Sequence, residues 1–134
     1  MPQPQGPKTT RGGRLSCEVG TDLVAGNVAL GAGWGDGTLA ITAGSNDVAG
    51  KLVVTAITGG GLAQATATIT VTFADGAYNA APFIIVTTTN DNSIDTGHAT
   101  WTSTTTGFVL TFSLLPVTTK IYSFTYAVIG KKSA

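Results

Sequence analysis

The stretch Ala65-Thr66-Ala67-Thr68-Ile69-Thr70-Val71-Thr72-Phe73 decides the fold class. Apolar and hydroxyl side chains alternate along it with strict period two. A pleated strand sends successive side chains to opposite faces, so this segment makes one apolar face and one threonine face. A helix would scatter the same residues around its axis, and its Thr, Ile and Val side chains would lose χ1 freedom against the preceding turn.

Working outward, Phe108, Leu110, Phe112 and Leu114 repeat the alternation, as do Tyr122, Phe124, Tyr126 and Val128. The pattern predicts further strands over residues 38–43, 51–58, 82–89 and 98–103, and one around 23–30. Turn signals separate them at Gly44-Ser45-Asn46-Asp47, Gly59-Gly60-Gly61, Ala74-Asp75-Gly76, Asn90-Asp91-Asn92-Ser93 and Thr106-Gly107. Pro82 and Pro116 belong at strand starts or in loops, because neither can donate a ladder hydrogen bond. About eight short strands with no helical segment between them predict an all-β chain, a single antiparallel β-sandwich or jelly-roll-like domain.

The chain has 134 residues, which fits one domain. Only 10% of them are charged, and 7 Lys+Arg balance 7 Asp+Glu. An ordinary domain is about 25% charged, so another chemistry must coat this one. The 24 threonines and 18 glycines supply it, polar without charge. A neutral balance argues against a nucleic-acid binder, whose phosphate contacts need an excess of Lys and Arg. No apolar run reaches the 18 or more residues of a membrane-spanning helix, and the N-terminus has no apolar stretch of the signal-peptide kind. Cys17 is the one cysteine, so no intrachain disulfide or cysteine metal cluster can form, and it reads as a small buried or half-buried residue.

Residues 1–14 carry Pro2, Pro4, Gly6, Pro7, Gly12 and Gly13, with Lys8, Arg11 and Arg14 and no acid. They read as an extended basic arm ahead of a sandwich domain over residues 15–134. Either the arm docks on an acidic surface of another protein through Lys8, Arg11 and Arg14, or it is a disordered tail.

Catalytic patterns are thin. His98 is the one histidine, with Asp91 and Asp95 upstream, and no Ser or Cys stands in a nucleophile-elbow context. The oxygen-rich run Asn90-Asp91-Asn92-Ser93-Ile94-Asp95 lacks the spacing and closing Glu of an EF-hand loop and reads as a turn. Gly31-Ala32-Gly33-Trp34-Gly35-Asp36-Gly37 has the glycines of a phosphate loop but neither the Lys-Ser/Thr pair nor a following helix. Its glycines instead let the backbone pack closely while Trp34 lies over a neighbouring surface, within the chain or across a subunit boundary. Trp101 is either core or a stacking platform for a sugar ring. Asp75, Tyr78 and Asn79, with Asn90, Asp91 and Asn92, are either hairpin residues or polar contacts to a glycan. The seven acids form no recognisable pair of the kind a glycoside hydrolase needs, and no catalytic residue, metal or cofactor is expected.

From about Gly31 onward the chain resembles bacteriophage virion surface proteins. The residues that carry the likeness are Gly-Ala-Gly-Trp-Gly-Asp-Gly (31–37), Thr-Ile-Thr-Val-Thr-Phe-Ala-Asp-Gly-Ala-Tyr (68–78), Ala-Pro-Phe-Ile-Ile-Val-Thr (81–87), Ser-Thr-Thr-Thr-Gly-Phe-Val-Leu-Thr-Phe (103–112) and Tyr-Ser-Phe-Thr-Tyr-Ala-Val-Ile-Gly (122–130). The same cadence is similar to H-type lectin domains, trimeric β-sandwiches that bind sugars. The resemblance implies a β-sandwich fold and a non-enzymatic structural protein of the virion surface, a homotrimer that decorates or cements the capsid by contact with the major capsid protein or another virion protein. It implies, as the alternative, a receptor-binding tip or fibre knob that recognises host-surface glycan. One compact domain behind a basic arm, with no shaft of the kind a tail fibre uses, favours decoration. Made in the host cytoplasm, such a protein would end on the virion surface, with no nucleic-acid or membrane partner.

Overall fold

The computed structural model describes residues 20–55, 67–89, 99–113 and 120–131. Among them the strands are β1 (Val28–Leu30), β2 (Thr38–Ile41), β3 (Ala49–Thr55), β4 (Thr68–Thr72), β5 (Phe83–Thr88), β6 (Ala99–Thr104), β7 (Gly107–Phe112) and β8 (Ile121–Ile129). They form two four-stranded sheets of order β1-β4-β7-β6 and β2-β3-β8-β5, with every pairing antiparallel. The fold is a β-sandwich. Pairing is nested, since β3 meets β8 and β4 meets β7, so the chain resembles one long hairpin folded over on itself.

The deciding stretch does what its alternation dictates. In β4, Ile69 and Val71 are fully buried while Thr70 and Thr72 face solvent, and Ala67 and Phe73 at the flanks are buried too. Antiparallel partners share a face, so Ile69↔Leu110 and Val71↔Phe108 extend this inner surface onto β7. From the other sheet Leu52, Val54, Tyr122, Phe124, Tyr126 and Ile84 close it. Side chains of this size each gain about 1.5–3 kcal/mol on full burial, which makes this layer the main source of stability.

Some bounds differ from the sequence expectation. The strand expected around 23–30 is reduced to β1, because a 3-10 turn occupies Ala25–Asn27. The Asn27 side-chain oxygen accepts the Val24 N–H at 3.0 Å and bends the backbone there. β2 stops at Ile41, where Thr42–Ser45 turns with Ser45 N–H donating to the Thr42 carbonyl. Pro82 sits immediately before β5, as its missing N–H requires.

The glycine-rich segment 31–37 folds as a 3-10 turn, Ala32–Trp34, laid on the edge of the core. A Cβ on Gly31 would come within 2.1 Å of Thr68 Oγ1, so only glycine lets this turn lie against β4. The turn drives Trp34 inward. Its indole is 0% exposed, donates Nε1–H to the Thr68 carbonyl at 2.9 Å, and meets Phe112, Tyr122 and Phe124 edge-on at centroid distances of 5.5–6.3 Å.

Candidate functional site

Three places on the described surface bear on function: a buried polar cluster at one end, and the two outer faces of the sandwich.

The cluster is built on the β2–β3 connection, Ser45, Asn46 and Asp47, all buried. The Asn46 side-chain oxygen accepts Val48 and Ala49 N–H at 2.9 and 3.1 Å, an Asx-type turn that Gly44-Ser45-Asn46-Asp47 foretells. Ser45 Oγ accepts the Lys51 N–H at 3.0 Å. Asp47 reaches across to the other sheet, where its carboxylate accepts Ala74 N–H at 2.6 Å and Asp75 N–H at 2.8 Å. Two tyrosines close the cluster from beneath. Tyr126 donates its hydroxyl to the Asn46 carbonyl at 2.6 Å, and Tyr78 donates to the Asp47 carbonyl at 3.2 Å. Burial first, and the Asp47 charge second, raise both phenols above the ordinary tyrosine range. Among the described residues no buried side-chain nitrogen or oxygen lacks a hydrogen-bond partner. The cluster therefore ties loops together and aims no free polar group at a ligand.

Several sequence candidates fall beside this cluster. Asp75 is exposed but engaged, because its two carboxylate oxygens accept the N–H and the hydroxyl of Thr21 and fasten the chain's entry into the sandwich. Tyr78 is buried with its hydroxyl turned inward, the arrangement of a hairpin residue. Asn79 is exposed, and its N–H donates to the Lys131 carbonyl. Asn90, Asp91 and Asn92 lie outside the described residues, as do His98, Cys17 and the arm residues Lys8, Arg11 and Arg14. Thr89, which precedes Asn90, lies at the far end of β5 from Asn79. Six strand residues separate the two ends, about 20 Å.

The tryptophans exchange roles. Trp34 has no exposed surface to offer a neighbouring subunit, so the within-chain alternative describes it and a subunit contact does not. Trp101 is 46% exposed, so it is not sealed in the core. Its pairing with Leu110 puts it on the inward row, but β6 is an edge strand and the indole sits at the open side of the sandwich. Tyr78 N–H bonds the Thr105 carbonyl, and Trp101 is four residues back along the chain, about 13 Å away. The described glycan candidates are not gathered into one site.

The outer faces differ from each other. On the β1-β4-β7-β6 sheet, register places Thr70, Val109 and Thr102 in one row, Thr72, Gly107 and Thr104 in the next, and pairs Thr68 with Thr111 and Thr100 with Thr111 beside them. A Cβ on Gly107 would stand 2.3 Å from the Val71 carbonyl oxygen, so this position has no side chain and the face dips. The resulting hollow of about 180 Å³, lined by Thr70, Thr72, Thr102, Thr104 and Thr106, is smaller than the roughly 300–1,000 Å³ of small-molecule pockets. On the β2-β3-β8-β5 sheet, Phe83 pairs with Ile129 and Ile85 with Ala127, and these rows carry exposed apolar side chains: Phe83 is 71%, Ile85 51% and Ile129 54% exposed. The signal lay in the sequence, because Phe83-Ile84-Ile85-Val86 is apolar at every position where a half-solvated strand alternates.

Among the described residues no three His, Cys, Asp or Glu side chains come together as metal ligands. No described helix is long and apolar enough to cross a membrane. Compared with known protein families, curated proteins and solved structures, the chain matches none.

Proposed function

We propose that this protein is a non-enzymatic structural module, a homotrimeric decoration or cementing protein on the exterior of a phage capsid. The observation that carries the reading is the clustering of Phe83, Ile85 and Ile129 at one end of an outer face, whereas the other large exposed apolar side chains, Val24, Trp101 and Ile121, lie apart from it. Large exposed apolar side chains clustered on a folded domain mark a surface that another protein covers. The resemblance of residues 31–37, 68–78, 81–87, 103–112 and 122–130 to virion surface proteins supplies the setting. Protomers associate through their sandwich faces, and the basic arm with Lys8, Arg11 and Arg14 adds contacts to the shell. The test is to purify particles and measure copy number and position, with and without residues 1–14. Hundreds of copies on the head that vanish on deletion of the arm are expected. A handful of copies at the tail, or none, refutes the reading.

The half-exposed Trp101 favours a second reading, a receptor-binding tip that stacks a host-surface sugar on its indole. A glycan array probed with the purified protein and with Trp101→Ala tests it. Binding by the first and not by the second is expected, and a blank array for both refutes it.

A further inference from the structure

We infer that the outer face at the β5–β8 end is where this chain meets a second copy of itself, with Phe83 as the aromatic anchor of the contact. The inference rests on the assembly reading above and names its surface.

Four observations converge on this face. First, the register stacks its outward side chains in rows: Phe83 and Ile129, then Ile85, Ala127 and Ala49, then Thr87, Thr125 and Lys51. The first two rows are wholly apolar, and the charges that border them are Lys51, in the third row, and the exposed Lys131, two residues beyond Ile129. Second, no acid or base interrupts those two rows. The face offers no complement to a charged partner or an anionic surface, and copies of it converging on a symmetry axis bring no like charges together within those rows. An interface core depleted of charge and anchored by an aromatic is the arrangement found in homo-oligomers. Third, the other outer face is a threonine array with no large exposed apolar side chain, so the molecule has one face suited to water and one suited to burial. Fourth, the patch is large enough to form the core of a contact. An aromatic side chain offers about 150–250 Å², so Phe83 alone leaves over ~100 Å² uncovered, and with Ile85 and Ile129 the patch enters the roughly 300–600 Å² range of functional apolar patches. A stable contact needs about 800 Å² per partner, which the Ala127, Ala49, Thr87 and Thr125 rows extend toward.

The edge of β5 adds a feature of the same surface. Thr89 N–H bonds the Ser123 carbonyl, and antiparallel pairing alternates, so Phe83, Ile85 and Thr87 direct their peptide groups at β8. The N–H and C=O of Ile84, Val86 and Thr88 point away from the sheet. Pro82, just ahead, has no N–H to offer there. The proline blunts strand-to-strand addition, leaving side-chain packing of the outer faces as the mode of contact.

The experiment is sedimentation velocity with mass determination on the full chain and two double variants, Phe83→Ser/Ile129→Ser and Thr70→Asp/Thr102→Asp, with far-ultraviolet circular dichroism to establish that each is folded. All four positions face outward, and Phe83, Ile129, Thr70 and Thr102 are exposed. Should the serine pair unfold the domain, Ile85→Lys replaces it, again at an exposed position. The wild type is expected to sediment as a multimer, the serine pair as a folded monomer with self-affinity lowered at least 100-fold, and the aspartate pair as the wild type does. A wild-type mass retained by the serine pair, a multimer lost in the aspartate pair, or a wild type that is monomeric at every concentration overturns the inference. Particle association is read separately. Monomeric protein found on particles overturns the inference and leaves the decoration reading standing, whereas a Phe83-dependent multimer absent from particles does the reverse.

Discussion

Replacing Asp47 should loosen the sandwich more than replacing any exposed acid. Its carboxylate is buried and joins the β2–β3 connection to Ala74 and Asp75 across 27 and 28 residues. A hydrogen bond to a charged acceptor contributes about 1.5–3 kcal/mol. Two of them give about 3–6 kcal/mol of gross stabilisation, and releasing a buried carboxylate offsets part of it. Asp47→Ala is therefore expected to cost about 2–4 kcal/mol net, against a total stability of about 5–15 kcal/mol. Asp47→Asn should fall between, because its amide can accept from one of the two N–H groups but turns a donor toward the other. Urea unfolding followed by tryptophan fluorescence measures this, since the fully buried Trp34 reports on loss of the core. With a slope of about 1–3 kcal/mol/M, the alanine variant should lower the midpoint by roughly 0.7–4 M. An alanine variant within about 0.5 kcal/mol of the wild type would refute the argument that these bonds hold the two sheets' loops together.

Three further outcomes are expected. Tyr126 has its phenol raised above the usual value of about 10, so the neutral form is the one the fold favours. That contribution is whole below pH 10 and is lost as pH climbs through the raised folded value, so stability should hold to about pH 9 and decline above 10. Tyr126→Phe should cost about 1 kcal/mol at neutral pH and flatten the alkaline decline, with Tyr78 accounting for the slope that remains; a decline of unchanged steepness would count against it. Trp34→Ala should cost about 3–5 kcal/mol and Trp101→Ala less than about 1, a contrast that thermal and urea melts resolve and that equal losses would contradict. Gly107→Ala forces a methyl against the Val71 carbonyl, so a loss of about 1–3 kcal/mol with weakened amide protection along β4 is expected from hydrogen exchange, and an unchanged exchange pattern would refute it.

The sandwich was legible because its strands announce themselves locally. Residues 68–72, 107–112 and 121–129 alternate cleanly, and alternation needs no knowledge of what lies opposite. β1 was overestimated for an equally local reason, since Asn27 hydrogen-bonds its own neighbourhood and periodicity does not register that. The roles of the tryptophans were not legible. Which of two indoles fills the centre depends on whether its segment lies over a sheet interior or along an edge, and sheet order is a long-range property. The Asp47 cluster was seen only as a turn, because its bonds join residues 27 to 80 positions apart. The exposed end of β5 was written in Phe83-Ile84-Ile85-Val86, but such a run normally signals a strand buried on both sides. Only the register with β8 shows that one of those sides is open.

The position of β8 bears on how the chain acquires its shape during synthesis. It is the last strand of the eight, yet it lies inside its sheet with β3 on one flank and β5 on the other, and the pair Ala49↔Ala127 spans 78 residues. Until the ribosome has released residues 121–129, β3 and β5 have no neighbour between them, and the β1-β4-β7-β6 sheet faces a partner that lacks Tyr122, Phe124 and Tyr126 at its centre. The domain thus cannot assemble piecemeal from its N-terminal side, and its folding is a late, nearly all-or-none event of the slow, non-local kind. A nascent chain of this sort spends its synthesis with threonine-rich strands and few charges exposed to its neighbours. A transcript truncated before Ile121 would leave the cell holding two open sheet edges.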